Sequence, residues 1–134
     1  MNKSSMLKWS SAGLLITALL TACSGQEVPA VSSDTAAEMF MQQQAVIVDV
    51  REQAEWDEAR IDGAIHLPLG QLSSRLQELE PYRNTTLIVQ CRSGRRSAEA
   101  FHIIKAAGYE NIYNLQGGIQ SWVDSGHKTV RTAI

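Results

Sequence analysis

Two short runs of β-branched and aliphatic residues stand out along the chain, Ala45 to Val50 (AVIVDV) and Thr86 to Gln90 (TLIVQ). Neither alternates cleanly with polar residues, and such a run fits a strand buried on both faces of a parallel sheet. Shorter stretches of the same character predict strands at Val28 to Val31, Ala64 to Leu67 and Asn111 to Leu115, the second stopped by Pro68. The segments between them carry helical spacing. Thr35 and Glu38 stand at capping-box distance ahead of a helical stretch reaching about Gln43. Glu52 to about Arg60 reads as a short acidic helix with Trp56 on its inner side. Leu72, Leu76 and Leu79 recur at helical spacing, with Pro81 beyond the end of that helix. Ala98, Phe101 and Ile104 form one face of a helix from Ser97 to Ala107, terminated by Gly108. Gly117-Gly118 predicts a turn into a last helix, Ile119 to Val123, and both Trp56 and Trp122 are expected in the core. Alternating strands and helices predict an α/β fold of about five strands, mostly parallel, with helices on both faces. Ligands in such folds bind at the carboxyl ends of the strands.

The N-terminus breaks this pattern. Residues 1–22 hold two lysines, Lys3 and Lys8, and no acid, and Ala12 to Ala22 carries no charge at all. Those eleven residues reach about 17 Å as a helix, too short for a hydrocarbon layer of about 30 Å, so the segment reads as an export signal rather than a span. Leu20-Thr21-Ala22-Cys23 resembles the lipobox of bacterial lipoproteins. That resemblance implies cleavage after Ala22 and acylation of Cys23, with several acyl chains holding the protein at a membrane at roughly 0.8 kcal/mol per buried methylene. The expected organisation is a lipoprotein signal peptide at 1–22, the lipidated Cys23 and a tether at 23–32, and one domain at 33–134. The expected location is extracytoplasmic. Ser24 replaces the aspartate that retains lipoproteins in the inner membrane of enteric-type bacteria, which favours the periplasmic face of an outer membrane if the host has one.

Removing the signal leaves 112 of the 134 residues, enough for one core, and a body with 10 basic against 14 acidic side chains. A mildly acidic body disfavours nucleic-acid binding, which needs a basic face to neutralise phosphates. Three arginines nevertheless cluster at Arg92, Arg95 and Arg96, beside Cys91. The chain has only two cysteines, and a lipidated Cys23 cannot pair with Cys91, which is left as a free thiol in an oxidising compartment. Cys91 falls where a strand ends and a helix is about to begin. A helix N-terminus and nearby guanidinium groups both favour the thiolate, and Gly94 lets the backbone curl with its N–H groups inward as an anion nest.

The loop Cys91-Arg92-Ser93-Gly94-Arg95-Arg96-Ser97 does not stand alone. Asp49-Val50-Arg51-Glu52 follows the first strong strand, Gly63-Ala64-Ile65-His66-Leu67-Pro68 comes next, and Gly117-Gly118-Ile119 with Trp122 closes the series. In this order the chain resembles a single-domain rhodanese, a thiosulfate sulfurtransferase, from about Val46 to Trp122. The resemblance implies Cys91 as nucleophile toward the outer sulfur of thiosulfate or a related small sulfur anion. Sulfite leaves, and a persulfide is passed to cyanide or a thiol acceptor. It further implies that loop N–H groups from Arg92 to Ser97 hold the persulfide charge, that Arg92, Arg95 or Arg96 pairs with sulfite, and that Asp49 and Arg51 support the loop. No cofactor is implied.

Two other functions compete. Related phosphatases need an arginine six positions after the cysteine, where this chain has Ser97, so the spacing favours sulfur over phosphorus. A binding or sulfur-sensing module would use the same fold without turnover. His66, between Ile65 and Leu67, reads as a structural histidine bonded to backbone. His102 belongs on a helix flank and His127 near a polar C-terminus, and with one free cysteine the three give no metal-ligand spacing.

Overall fold

The computed structural model describes residue 25 and residues 27–133, so the lipobox and Cys23 lie outside the described residues. Five strands form one sheet in the order β1-β5-β4-β2-β3. They are β1 (Ala30–Val31), β2 (Ala45–Asp49), β3 (Ile65–His66), β4 (Thr86–Gln90) and β5 (Ile112–Leu115), and every neighbouring pair is parallel. β1 lies within the segment read as a tether, with Ala30 and Val31 in register with Asn114 and Leu115. The two apolar runs pair directly as the central strands, Ala45 opposite Thr86 through Asp49 opposite Gln90. Alternate residues of these strands face opposite layers. Val48, Leu87 and Val89 pack beneath α4 (Arg95–Ala106), whereas Ile47 and Ile88 pack against α1 (Ser33–Met41) and α5 (Gly118–Asp124). Burial on both sides is why neither run alternates in polarity. Among the described residues no helix is long and apolar enough to cross a membrane.

Several local expectations are corrected. Helix α1 begins ahead of Thr35 because Ser32 is its cap, accepting the Thr35 N–H at 3.1 Å, while Glu38 bonds the Gln42 amide instead of closing a box. A capping box is found instead at α2 (Gln53–Glu58), between Glu52 and Glu55. Trp56 is only half-buried and belongs to neither core cluster. Its ring stacks on His66 at 4.5 Å with Arg60 over it, whereas Trp122 is buried as expected. The leucines at 72, 76 and 79 do not share one helix. A turn at Ser73 to Arg75 separates α3 (Leu69–Leu72) from a 3₁₀ segment, Leu76–Tyr82, which holds Pro81 inside it. Leu72 and Leu79 still reach the core, because the break keeps both apolar side chains on the same side of the chain. Helix α4 starts at Arg95, two residues before the expected start. Its buried face is Ser97, Ala100, Phe101 and Ile104, which leaves Ala98 only partly covered.

Candidate active site

Three turns meet at the carboxyl edge of the sheet: those after β2, β4 and β5. The turn after β4 carries Cys91. Gly94 takes φ +113°, a left-handed conformation that suits glycine, and this folds the chain back so that its own N–H points at the Cys91 sulfur from 3.1 Å. The loop is buttressed from below by α5. The N–H groups of Ile119 and Gln120 donate to the carbonyls of Cys91 and Arg92 at 2.8 and 3.2 Å. That approach requires Gly118, where an added Cβ would lie 2.4 Å from the Cys91 carbonyl oxygen. The sequence reading took Gly117-Gly118 as a turn and missed this contact.

The Cys91 sulfur is buried, and burial pushes its thiol up. The Ser97 hydroxyl, 3.4 Å away, pulls it down when its proton is turned to the sulfur, the N–H groups of Ser97, Gly94 and Ser93 pull it down as well, and the pull prevails, so the thiol is more acidic than an ordinary cysteine. The three arginines do not supply this shift together, as sequence reasoning expected. Arg96 is held in a two-pronged bond to Glu55 of α2, at 2.7 and 2.8 Å, and the Glu55 carboxylate keeps the guanidinium protonated well above its ordinary range. Arg96 in turn lowers the Glu55 carboxyl to about 2. Arg92 and Arg95 are exposed and have no salt-bridge partner among the described residues. Ser93 is exposed beside them. A groove of about 380 Å³ passes the loop between α2 and α5, lined by Arg51, Glu55, Glu58, Ala59, Arg92, Ile119 and Gln120.

The turn after β2 holds the other pair expected from sequence. Asp49 and Arg51 are both buried and joined at 2.7 Å, with the Arg51 Nε also donating to Asp49. Two further guanidinium hydrogens reach the carbonyls of Glu55 and Ala59, at 3.3 and 2.7 Å. The pair therefore braces α2, and through Glu55 and Arg96 it reaches the loop indirectly. His66 bonds the Arg51 carbonyl through Nε2 at 2.8 Å. His102 is exposed on α4, and His127 pairs with Asp34 near the C-terminus. Among the described residues no three His, Cys, Asp or Glu side chains gather as a metal-binding group.

Sequence reasoning missed three residues of this region: Glu55, Asn114 and Gly118. Asn114, on β5, accepts from the Ser97 hydroxyl at 2.6 Å and donates to the Gly94 carbonyl at 3.1 Å. A glutamate three residues into an acidic helix was a visible signal for Glu55, but nothing local marks Asn114.

Comparison with known proteins gives the arrangement a lineage. The family profile described as "Rhodanese-like domain" matches residues 32–125. The chain is 38% identical over 76 residues to "Putative sulfur carrier protein YrkF" of Bacillus subtilis, covering 57% of this chain and 40% of that protein. It is 35% identical over 81 residues to "Sulfurtransferase" of Allochromatium vinosum, covering 60% and 74%. To "Thiosulfate sulfurtransferase PspE" of Escherichia coli it is 33% identical over 70 residues, covering 52% and 67%. Several curated relatives are longer, and the chain spans less than two thirds of their length. Among solved structures, a rhodanese-related protein from Thermoplasma volcanium aligns with a TM-score of 0.69 at 30% identity, over 76% of this chain and 97% of that one. A profile spanning most of the sequence and a sheet that superposes on such a relative lead to one conclusion: this chain belongs to the rhodanese-like domain family.

Proposed function

We propose that the protein is a sulfurtransferase in which Cys91 carries a sulfane sulfur as a persulfide. Membership of the family, and relatives named sulfurtransferase, support sulfur transfer in general. The observation that carries the finer reading is the Gly94 N–H at 3.1 Å from the Cys91 sulfur, in a loop that makes the thiol acidic. A thiolate there attacks the outer sulfur of thiosulfate. One S–S bond forms, the S–S bond of the donor breaks, and its electron pair leaves with sulfite. The extra sulfur extends the side chain by about 2 Å and moves the negative charge outward, where exposed Arg92 and Arg95 draw anionic donors in. Cyanide or a thiol then takes the terminal sulfur, and the thiolate returns as leaving group.

Phosphate transfer is disfavoured because Arg96, the loop cation nearest the phosphatase position, is bound to Glu55. The proposal extends to location: Cys23 acylated and the domain held outside the cytoplasm. An exported protein with an unmodified N-terminus by mass spectrometry would refute that part.

The test of the chemistry is the intact mass of the domain before and after thiosulfate under non-reducing conditions. A gain of about 32 Da at Cys91 that cyanide removes is expected, with Cys91→Ser losing at least about 1000-fold in sulfite release. A Cys91→Ser protein that releases sulfite at the parent rate would end the proposal.

A further inference from the structure

Ser97 has one hydroxyl proton, and three acceptors surround its oxygen: Asn114 Oδ1 at 2.6 Å, the Gly94 carbonyl at 3.1 Å and the Cys91 sulfur at 3.4 Å. Where that proton lies decides what the sulfur faces. The Asn114 amide is oriented without ambiguity, because the Gly94 carbonyl has no proton of its own and is 3.1 Å from Nδ2. Turning the amide over would set two carbonyl oxygens against each other. Oδ1 therefore faces Ser97, and two oxygens 2.6 Å apart need a hydrogen between them. Only Ser97 can supply it.

We propose that Asn114 is a positioning residue that holds the Ser97 hydroxyl proton away from the Cys91 sulfur, leaving backbone N–H groups as the donors to the thiolate. The Ser97 oxygen then presents lone pairs to the sulfur. A lone pair accepts from a thiol S–H and opposes a thiolate, so the Ser97–Asn114 pair tempers the acidity that the loop confers. The Ser97 hydroxyl lowers the thiol only insofar as its proton leaves Asn114, and the shorter contact opposes that. Such tempering suits a sulfur carrier. Nucleophilicity falls as a thiol becomes more acidic, and the best attacking thiol ionises near the ambient pH.

The proposal rests on Cys91 as nucleophile for its consequence, but its test needs no sulfur donor. The pH dependence of Cys91 alkylation by iodoacetamide reads the thiol directly. In Asn114→Ala the freed proton turns to the sulfur, because an anionic thiolate draws it more strongly than the neutral Gly94 carbonyl at 3.1 Å, and the acid dissociation constant of Cys91 rises about 3- to 10-fold, moving the midpoint to lower pH. In Ser97→Ala the midpoint rises by less than about half a pH unit, or falls. In the double variant Asn114→Ala adds less than about 0.3 unit to Ser97→Ala, whereas a loosened loop would act with or without the hydroxyl. A folded Asn114→Ala protein whose midpoint is unchanged or higher overturns the proposal, as does an equal fall in the double variant. Should Asn114→Ala not fold, Ser97→Ala decides alone: a rise of about half a unit or more means the hydroxyl donates to the thiolate and the proposal falls. A protein that behaves as expected here yet takes no sulfur from thiosulfate keeps this inference and loses the proposed function.

Discussion

The turns after β2 and β4 leave neighbouring parallel strands at the same level, Asp49 being in register with Gln90. Both lead into helices and both carry charge, yet their polar groups are used differently. After β2, Asp49 and Arg51 are buried and bonded to each other, and Arg51 donates to the carbonyls of Glu55 and Ala59. After β4, Cys91 faces backbone N–H groups, and two exposed arginines have no salt-bridge partner among the described residues. One turn pairs its charges internally and the other leaves two cations without an ion-pair partner among the described residues. Fixed geometry in the first helps to hold the second in place, since Glu55 and Arg96 tie them together.

Breaking the satisfied turn should have the largest effect on stability. Asp49→Ala leaves the Arg51 guanidinium buried without its partner and should cost about 3–5 kcal/mol in denaturant unfolding. A double replacement with Arg51→Met should recover much of that loss, which a pair acting only as a charge source for the loop would not do. Gly118→Ala strikes the buttress of the open turn. Its Cβ must displace the Cys91 carbonyl at a positive φ, and we expect a loss of about 2–4 kcal/mol in thermal unfolding together with slower Cys91 alkylation.

Glu55→Gln tests the tie between the two turns and should cost about 1–2 kcal/mol, solvent screening included. The Glu55 carboxyl is lowered from 4.5 to about 2 in the folded chain, so its contribution is complete above about pH 4.5 and vanishes as pH falls through about 2. Melting temperatures measured across that window should converge for parent and variant toward its acid end. The smallest stability change belongs to Arg92→Ala, within about 0.5 kcal/mol because the side chain is exposed. Its effect should fall on KM for thiosulfate, rising several-fold at low salt and less at high salt, as measured by sulfite release.

The same contrast explains what was legible in the sequence. Ala45 to Asp49 and Thr86 to Gln90 announced the central strands because burial on both faces leaves an unbroken apolar run. Cys91 and Gly94 announced the loop because its requirements, a thiol and a residue tolerant of positive φ, are local. The Leu72, Leu76 and Leu79 spacing misled because a periodic apolar stripe survives a break that tertiary packing imposes. Glu55, Asn114 and Gly118 act across distance: 41 residues separate Glu55 from Arg96 and 17 separate Ser97 from Asn114. Which arginine stays free depends on such a contact, so the three guanidinium groups looked equivalent before the fold was known.

Strand β1 runs the same way as the other four but pairs only with Asn114 and Leu115, the last residues of β5, and Asn114 is in register with Val89, so the chain joins the sheet only two residues below the level of Cys91. Along the strands that step is roughly 7 Å. Glu27 and Pro29 line a pocket with Glu110 and Ile112, so the chain comes up to β1 from the side of the sheet away from Cys91, and a pull on the described residues before Ala30 is a pull away from the cysteine loop.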